Sequence, residues 1–325
     1  MSRPADAPAT EPPAVVPAPH PEPDKLGPLG RSSLLDEGAD LRGILVGEFA
    51  AAVGRAHDAA ATLEADPHHA VHTYRRALRR ARGVLGLVAG ELPRAERRTI
   101  KKIIRDARRA LSLSRDHVAA PAALSLLALG DAERATAEAV LATAREAAPA
   151  TADTAQLLRD GADRVAAQSE ALEAALPAEL DWDTVADGLA ASYRAARDAH
   201  ARAKRSRRAF HAWRRRTKEL ALQLDVLADH AGDAVGVHRD AYAALSDDLG
   251  QVVDLILLRE FVATHGHGQP ADALDALHDA IDGHLEVRMK ACRKGARELF
   301  ERSGKKFARG IGKALRFDLA PVAAE

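Results

Sequence analysis

The stretch VHTYRRALR, residues 71–79, returns 139 residues later as FHAWRRRTK, residues 210–218. Apolar Val71 corresponds to Phe210, His72 to His211, aromatic Tyr74 to Trp213, Arg75 to Arg214, and basic Arg79 to Lys218. A second match, at an offset of 138, sets LSLSRD from Leu111 against LGQVVD from Leu249 and pairs Asp116 with Asp254. Two matches in the same order at almost the same spacing describe one unit used twice. A repeat of this kind constrains architecture before any single residue does.

The unit is helical. Alanine, leucine and arginine are strong helix formers, while only 3% of the residues are aromatic, which leaves little from which to build strands. An all-α fold is predicted. In DPHHAV, Asp66 is placed to cap a helix with Pro67 at its first position, and the helix should run to about residue 89. Within it Val71, Tyr74, Leu78, Ala81, Leu85 and Val88 recur at alternating spacings of three and four, a stripe that faces a bundle core. Further helices are predicted over 34–64, 94–113, 117–129, 131–147 and 151–176. A second series covers 183–202, 206–229, 233–249, 251–264 and 270 to about 303, with glycines and prolines as punctuation. The first 30 residues, rich in Pro and Ala, read as a disordered tail. The helical domain is then expected over 31–310, with halves at about 31–176 and 183–310, followed by a C-terminal tail over 311–325.

Charge is balanced overall, with 47 Lys and Arg against 47 Asp and Glu, so net charge selects no partner. Its distribution does. Residues 75–109 hold 13 basic side chains, 194–218 hold 11 and 288–316 hold 11, which is 35 of the 47; the same segments hold 3, 1 and 2 acids. A single cysteine, Cys292, excludes an internal disulfide framework and a cysteine-based zinc site, as expected of a reducing, cytoplasmic setting. No apolar run is long enough for a signal-peptide core or a membrane span.

These motifs resemble the CHAD family, the conserved-histidine α-helical domains. The first-half pattern V-H-x-x-R-x-x-x-R-R-x-R is complete in His72, Arg75, Arg79, Arg80 and Arg82. The turn pattern L-G-x-x-R-D is present as Leu111, Ser112, Arg115 and Asp116, with serine in place of glycine. The second half has His211, Arg214 and Lys218, but Ala221 stands where many relatives carry arginine, which removes one anion contact from that half. The resemblance covers about residues 35–310. It implies two antiparallel four-helix bundles related by a pseudo-twofold axis, with basic helices facing a shared cleft or pore. It also implies binding of inorganic polyphosphate and association with polyphosphate granules. Some relatives are fused to a triphosphate tunnel enzyme; no β-rich, glutamate-alternating stretch is present here, so the stand-alone binding form is expected.

The residues themselves suit such a ligand. His72, Arg75, Arg79 and Arg82 fall on one helical stripe about 15 Å long, at roughly 1.5 Å per residue, bordering the apolar stripe so that stems pack while guanidinium groups reach a cleft. Arg76 and Arg80 widen the charged surface, and Lys101, Arg105, Arg108 and Arg109 repeat at helical spacing on the next basic helix. His211, Arg214, Arg215 and Lys218 form the counterpart in the second half. Arginine offers paired planar donors to phosphate oxygens, whereas Lys218 acts as a point charge. His72, near a helix start, would add the pull of exposed amides, and its protonation would strengthen binding as pH falls through about 6.5. Two readings of His72 and His211 stay open: contact with the ligand, or a hydrogen bond across the bundle. Asp116 and Asp254 are expected to be structural, capping a helix start or orienting an arginine. The HGH at 265–267 lacks a third ligand at a diagnostic spacing and reads as a plain loop. The basic C-terminal segment is expected to add phosphate contacts more than to touch a membrane.

Non-catalytic polyphosphate binding is therefore expected, with no cofactor or metal. The alternative is a nucleic-acid-backbone binder. Single-strand binders interleave exposed aromatics with basic residues, but Tyr74, Phe210 and Trp213 lie on apolar stripes and should be buried, which leaves duplex binding as the competitor. An accessory enzyme of polyphosphate metabolism is the least favoured reading, because neither a P-loop nor a group of carboxylates accompanies the basic stripe.

Overall fold

In the computed structural model, residues 40–109, 116–146, 154–230 and 233–317 are described. Every regular element among them is helical. The order is α1 (Leu41–Ala61), α2 (Pro67–Leu87), α3 (Arg94–Arg109), α4 (Asp116–Leu124), α5 (Asp131–Glu146), α6 (Thr154–Ala166) and α7 (Ser169–Ala175), then α8 (Trp182–Arg202), α9 (Arg207–Ala228), α10 (Asp233–His265), α11 (Ala271–Gly295) and α12 (Gly304–Phe317). Short 3-10 turns occupy Ala203–Arg205 and Glu298–Phe300. The expected N-terminal tail lies outside the described residues.

Side-chain caps start the repeated helices. Asp40 accepts from Gly43 N at 2.8 Å and Asp181 from Thr184 N at 2.8 Å, opening α1 and α8. Asp66 accepts from His69 N at 3.0 Å and Ser206 from Ala209 N at 3.1 Å, opening α2 and α9. Each cap satisfies an amide that the helix cannot. Of the stripe read from the sequence, Tyr74, Leu78, Ala81, Leu85 and Val88 are buried and Val71 packs against the core from its edge.

Some helix contacts recur in the two halves. α1 packs on α2 and α8 packs on α9, while α6 covers α1 and α12 covers α8. The two motif helices then meet each other. They approach closely at Gly83 and Leu222, where a Cβ on the glycine would stand 3.3 Å from the leucine Cβ. These two positions are themselves 139 apart, so the copies touch at corresponding residues. A second close approach lies between α8 and the end of α2: a Cβ at Gly188 would fall 2.1 Å from the carbonyl oxygen of Leu87.

Three elements differ from expectation. The helix predicted over 151–176 is interrupted between α6 and α7, a break that buries both Val165 and Leu172 in the core beside α1. The helices predicted over 233–249 and 251–264 are one, α10; a buried glycine at 250 does not stop a helix flanked by α4 and α9. Asp254 is consequently in a helix interior, not at a helix start. The last predicted helix ends early, at Gly295, and a separate α12 carries helical structure to Phe317, past the expected boundary at 310. The bend between them is held from below. Tyr193 and Tyr242 both donate to the Leu299 carbonyl, at 3.0 and 2.6 Å, and Phe307 stacks on Tyr193 with ring centroids 4.3 Å apart. Burial pushes the Tyr193 hydroxyl up to about 12, so it stays a donor.

A charged cluster ties α1, α2 and α9 together. Arg80 donates from Nε to Glu48 at 2.9 Å, from Nη1 to Asp225 at 2.9 Å and from Nη2 to Asp229. His230 Nε2 stands 2.9 Å from the other Glu48 oxygen. The Arg80 side chain is 12% exposed. The sequence reading placed Arg80 among the phosphate-binding arginines; the structure instead turns its guanidinium onto three carboxylates, which satisfy its charge internally. Burial alone would raise the Glu48 carboxyl, but the bonds from Arg80 and His230 outweigh it and hold the group below its usual range.

Two predictions follow from this packing. Gly188→Ala should destabilise the fold by about 1–3 kcal/mol in urea unfolding, because the new methyl meets backbone that cannot move aside without separating α8 from α2. Arg80→Met should cost about 2–3 kcal/mol at neutral pH, less than a fully buried pair because Asp229 is 47% exposed. Glu48 titrates lower when folded, so its contribution is complete above the unfolded value near 4.5 and is lost as pH falls through the folded one. The difference between Arg80→Met and wild type should therefore shrink on acidification below about 4.5; a difference independent of pH would mean that the carboxylates do not carry it.

Candidate polyanion-binding site

On α9, Lys218 lies half-buried with Asp247 of α10 3.8 Å from its Nζ. Arg79 and Arg76 from α2 and Arg214 from its own helix also act on it. Burial and then these arginines push the Lys218 ammonium below a lysine's usual value, against the opposing pull of Asp247. The first-half and second-half motifs therefore converge on one place.

A second basic group forms where α2, α3 and α9 adjoin. Lys101 of α3 is also pushed down, first by burial, with Glu219 pulling the other way and Arg97, Arg82 and Arg216 adding to the depression. Glu219 is bonded to Arg216 at 3.2 Å and to Arg82 at 3.5 Å. Arg82 of α2 and Lys101 of α3, two of the residues expected to line facing walls, thus act on each other, with Arg216 and Glu219 of α9 beside them.

The remaining sequence-predicted residues divide. Arg75 and His211 are half-buried and His72 is exposed, each engaged in local interactions. His72 is the sixth residue of α2, and the Asp66 carboxylate already serves the open amides at that helix start, so the amide contribution expected beside His72 is taken up by the chain itself. Arg215 is exposed on α9. Arg105 turns along its own helix to Asp106 at 3.0 Å, away from the Lys101 group. Arg108 is half-buried. Arg109 ends α3 and Asp116 opens α4; their side chains, and the turn that joins the two helices, lie outside the described residues. Asp254 is half-buried within α10 and engaged there. Arg79 and Lys218 are half-buried.

Four participants were not singled out from the sequence: Arg97, Arg216, Glu219 and Asp247. Arg216 ends the run Arg214–Arg216, and Glu219 occupies the position that matches Arg80 at the 139-residue offset, a reversal of charge that the repeat alignment itself contains.

The aromatic residues of the motifs are fully buried. Tyr74, Phe210 and Trp213 expose none of their surface, and Trp213 meets Phe210 edge-on at 5.2 Å. None of the three offers a platform for stacking a base. At 265–267, His265 ends α10 with its ring 4.4 Å from Phe261. Among the described residues no group of three or more His, Cys, Asp or Glu is placed to hold a metal, and no helix is long and apolar enough to cross a membrane. The basic C-terminal segment lies elsewhere: Lys305, Arg309 and Lys313 of α12 face Asp183 and Asp187 of α8 across a cavity of about 550 Å³.

No match was found among curated proteins. A comparison with protein families matches the CHAD domain over residues 48–263, from α1 to the end of α10. That span contains both copies of the repeated motif and both basic groups, and the chain belongs to the CHAD domain family.

Proposed function

We propose that this protein binds inorganic polyphosphate without catalysis, along a basic cleft between the two helical halves, and that binding localises it to polyphosphate granules. In this reading the halves are two related bundles about a pseudo-twofold axis that passes near Gly83 and Leu222. The observation that carries the proposal is the setting of Lys218. Asp247 stands 3.8 Å from the ammonium, Arg76 and Arg79 of α2 and Arg214 of α9 act on it, and the lysine is pushed down first by burial and then by these arginines. Positive charge gathered at this density favours a multiply charged anion. A chain of phosphates supplies one charge after another at a spacing that neighbouring arginines can follow, and arginine forks match its oxygens.

Binding, not turnover, is what this set of side chains favours. Phosphoryl transfer draws on a divalent metal held by carboxylates and a positioned nucleophile, whereas the groups that act on Lys218 include three arginines and one aspartate. Duplex nucleic acid shares the phosphate chemistry, so the test must separate the two. Long-chain polyphosphate should bind tightly at low salt, lose at least about tenfold in affinity between roughly 50 and 200 mM salt, and resist displacement by duplex DNA at matched phosphate concentration. Displacement by DNA would move the assignment to nucleic-acid backbone.

Arg79→Ala combined with Lys218→Ala should weaken polyphosphate binding at least about tenfold while thermal unfolding stays cooperative; unchanged affinity in the folded double variant would remove both residues from the site. The pH dependence has a definite sign. A bound polyanion favours the ammonium form and raises the depressed Lys218, so binding takes up a proton, and affinity should fall as pH rises through the value of the free protein, below 10.5. Lys218→Arg, which does not titrate in this range, should flatten that fall.

A further inference from the structure

Glu219 acts on Lys101 together with the cations Arg82, Arg97 and Arg216. Its bonds are long. Charge-assisted pairs settle near 2.7–2.9 Å, yet Glu219 stands 3.2 Å from Arg216 and 3.5 Å from Arg82, although its side chain is only 12% exposed. The contrast with Arg80, its counterpart at the 139-residue offset, is direct: Arg80 holds Glu48 and Asp225 at 2.9 Å each and has three acids to one cation. One position is saturated and the other is undersupplied.

A buried polar group beside Glu219 marks the same place. Gln223, one helical turn further along α9, is fully buried, and neither its amide nitrogen nor its amide oxygen has a hydrogen-bond partner. Gly86 opens the space it occupies: a Cβ there would lie 2.3 Å from the Gln223 nitrogen and 4.0 Å from a Glu219 oxygen. A fully buried amide without partners is costly unless something is there to bond it. Carboxylate and amide thus share a niche lined with donors.

We infer that Glu219 is an internal competitor for the phosphate site, a tethered carboxylate that a bound phosphate chain displaces, and that it makes binding depend on chain length. This rests on the polyphosphate reading above. Because Glu219 is attached to the site, it competes at a high effective concentration. A short phosphate can sit at Arg79 and Lys218 alone and does not meet that competition. A long chain already held at Arg79 and Lys218 is tethered too, so its next phosphates replace Glu219 without the loss of freedom that a separate ligand suffers. Arg82, Arg216 and Lys101 then take phosphate oxygens in place of the carboxylate, and Gln223 gains an acceptor for its amide nitrogen.

The test compares tripolyphosphate with long-chain polyphosphate on the full chain, by calorimetric titration at one fixed low salt concentration. Glu219→Gln, which keeps the shape and removes the charge, should tighten the long chain, which must displace the carboxylate, about tenfold and leave tripolyphosphate within about twofold, so that the ratio between them widens. Glu219→Asp, which shortens the reach to Arg82 and Arg216, should move the ratio the same way by less, and carries the test if the glutamine variant does not fold. Equal tightening of both ligands would show a general charge effect and overturn the inference, as would no change in either. Failure of the underlying reading looks different: wild type would not bind the long chain at low salt, or Arg79→Ala with Lys218→Ala would bind it as wild type does.

Discussion

The contact on which the rest depends is the approach of α2 to α9 at Gly83 and Leu222. Both helices carry dense runs of arginine, and bringing such helices together opposes Coulomb repulsion at short range. The approach is made possible by what lies between them, a glycine against a leucine, and by the core on which both helices pack, where Tyr74, Leu78, Phe210 and Trp213 are buried. α8 adds to it, reaching the end of α2 through Gly188. Arginine stems then lie along the margins of this apolar seam and their charged ends gather beside it.

Repulsion is managed unequally at the positions that the repeat makes equivalent. At Arg80 three carboxylates converge on a single guanidinium, joining α1, α2 and α9 in one cluster that serves stability. At Glu219 a carboxylate faces cations from three helices across longer bonds. At Lys218, Asp247 stands 3.8 Å from the ammonium and Arg76, Arg79 and Arg214 act on it as well. The two copies of the unit have therefore diverged in charge while keeping their backbone plan. One copy's central residue became a structural anchor, and the other's became the weakly held occupant of a basic niche.

Much of this was legible in the sequence because it is local. The Asp66 cap, the apolar stripe through Tyr74 and Leu85, and the matched histidine and arginine positions all follow from spacings of three and four along one helix. What escaped was what depends on a partner helix. Nothing in the spacing of Arg79, Arg80 and Arg82 reveals that the middle one turns toward Glu48 and Asp225, since those acids arrive from 32 residues before it and 145 after it. The uninterrupted α10 escaped for a similar reason: neighbours on α4 and α9 support Gly250 where the local sequence suggests a break. The end of α11 and the start of α12 depend on Leu299 receiving two tyrosine hydroxyls from α8 and α10, a contact that no periodicity announces.

The most direct measurement is a crystal structure of the full chain with a polyphosphate of defined length. The account predicts phosphate oxygens within hydrogen-bonding distance of Arg79 and Lys218, with the chain running beside the meeting of α2 and α9. A chain bound on α12, or on the exposed face of α3 with Arg79 and Lys218 untouched, would contradict it.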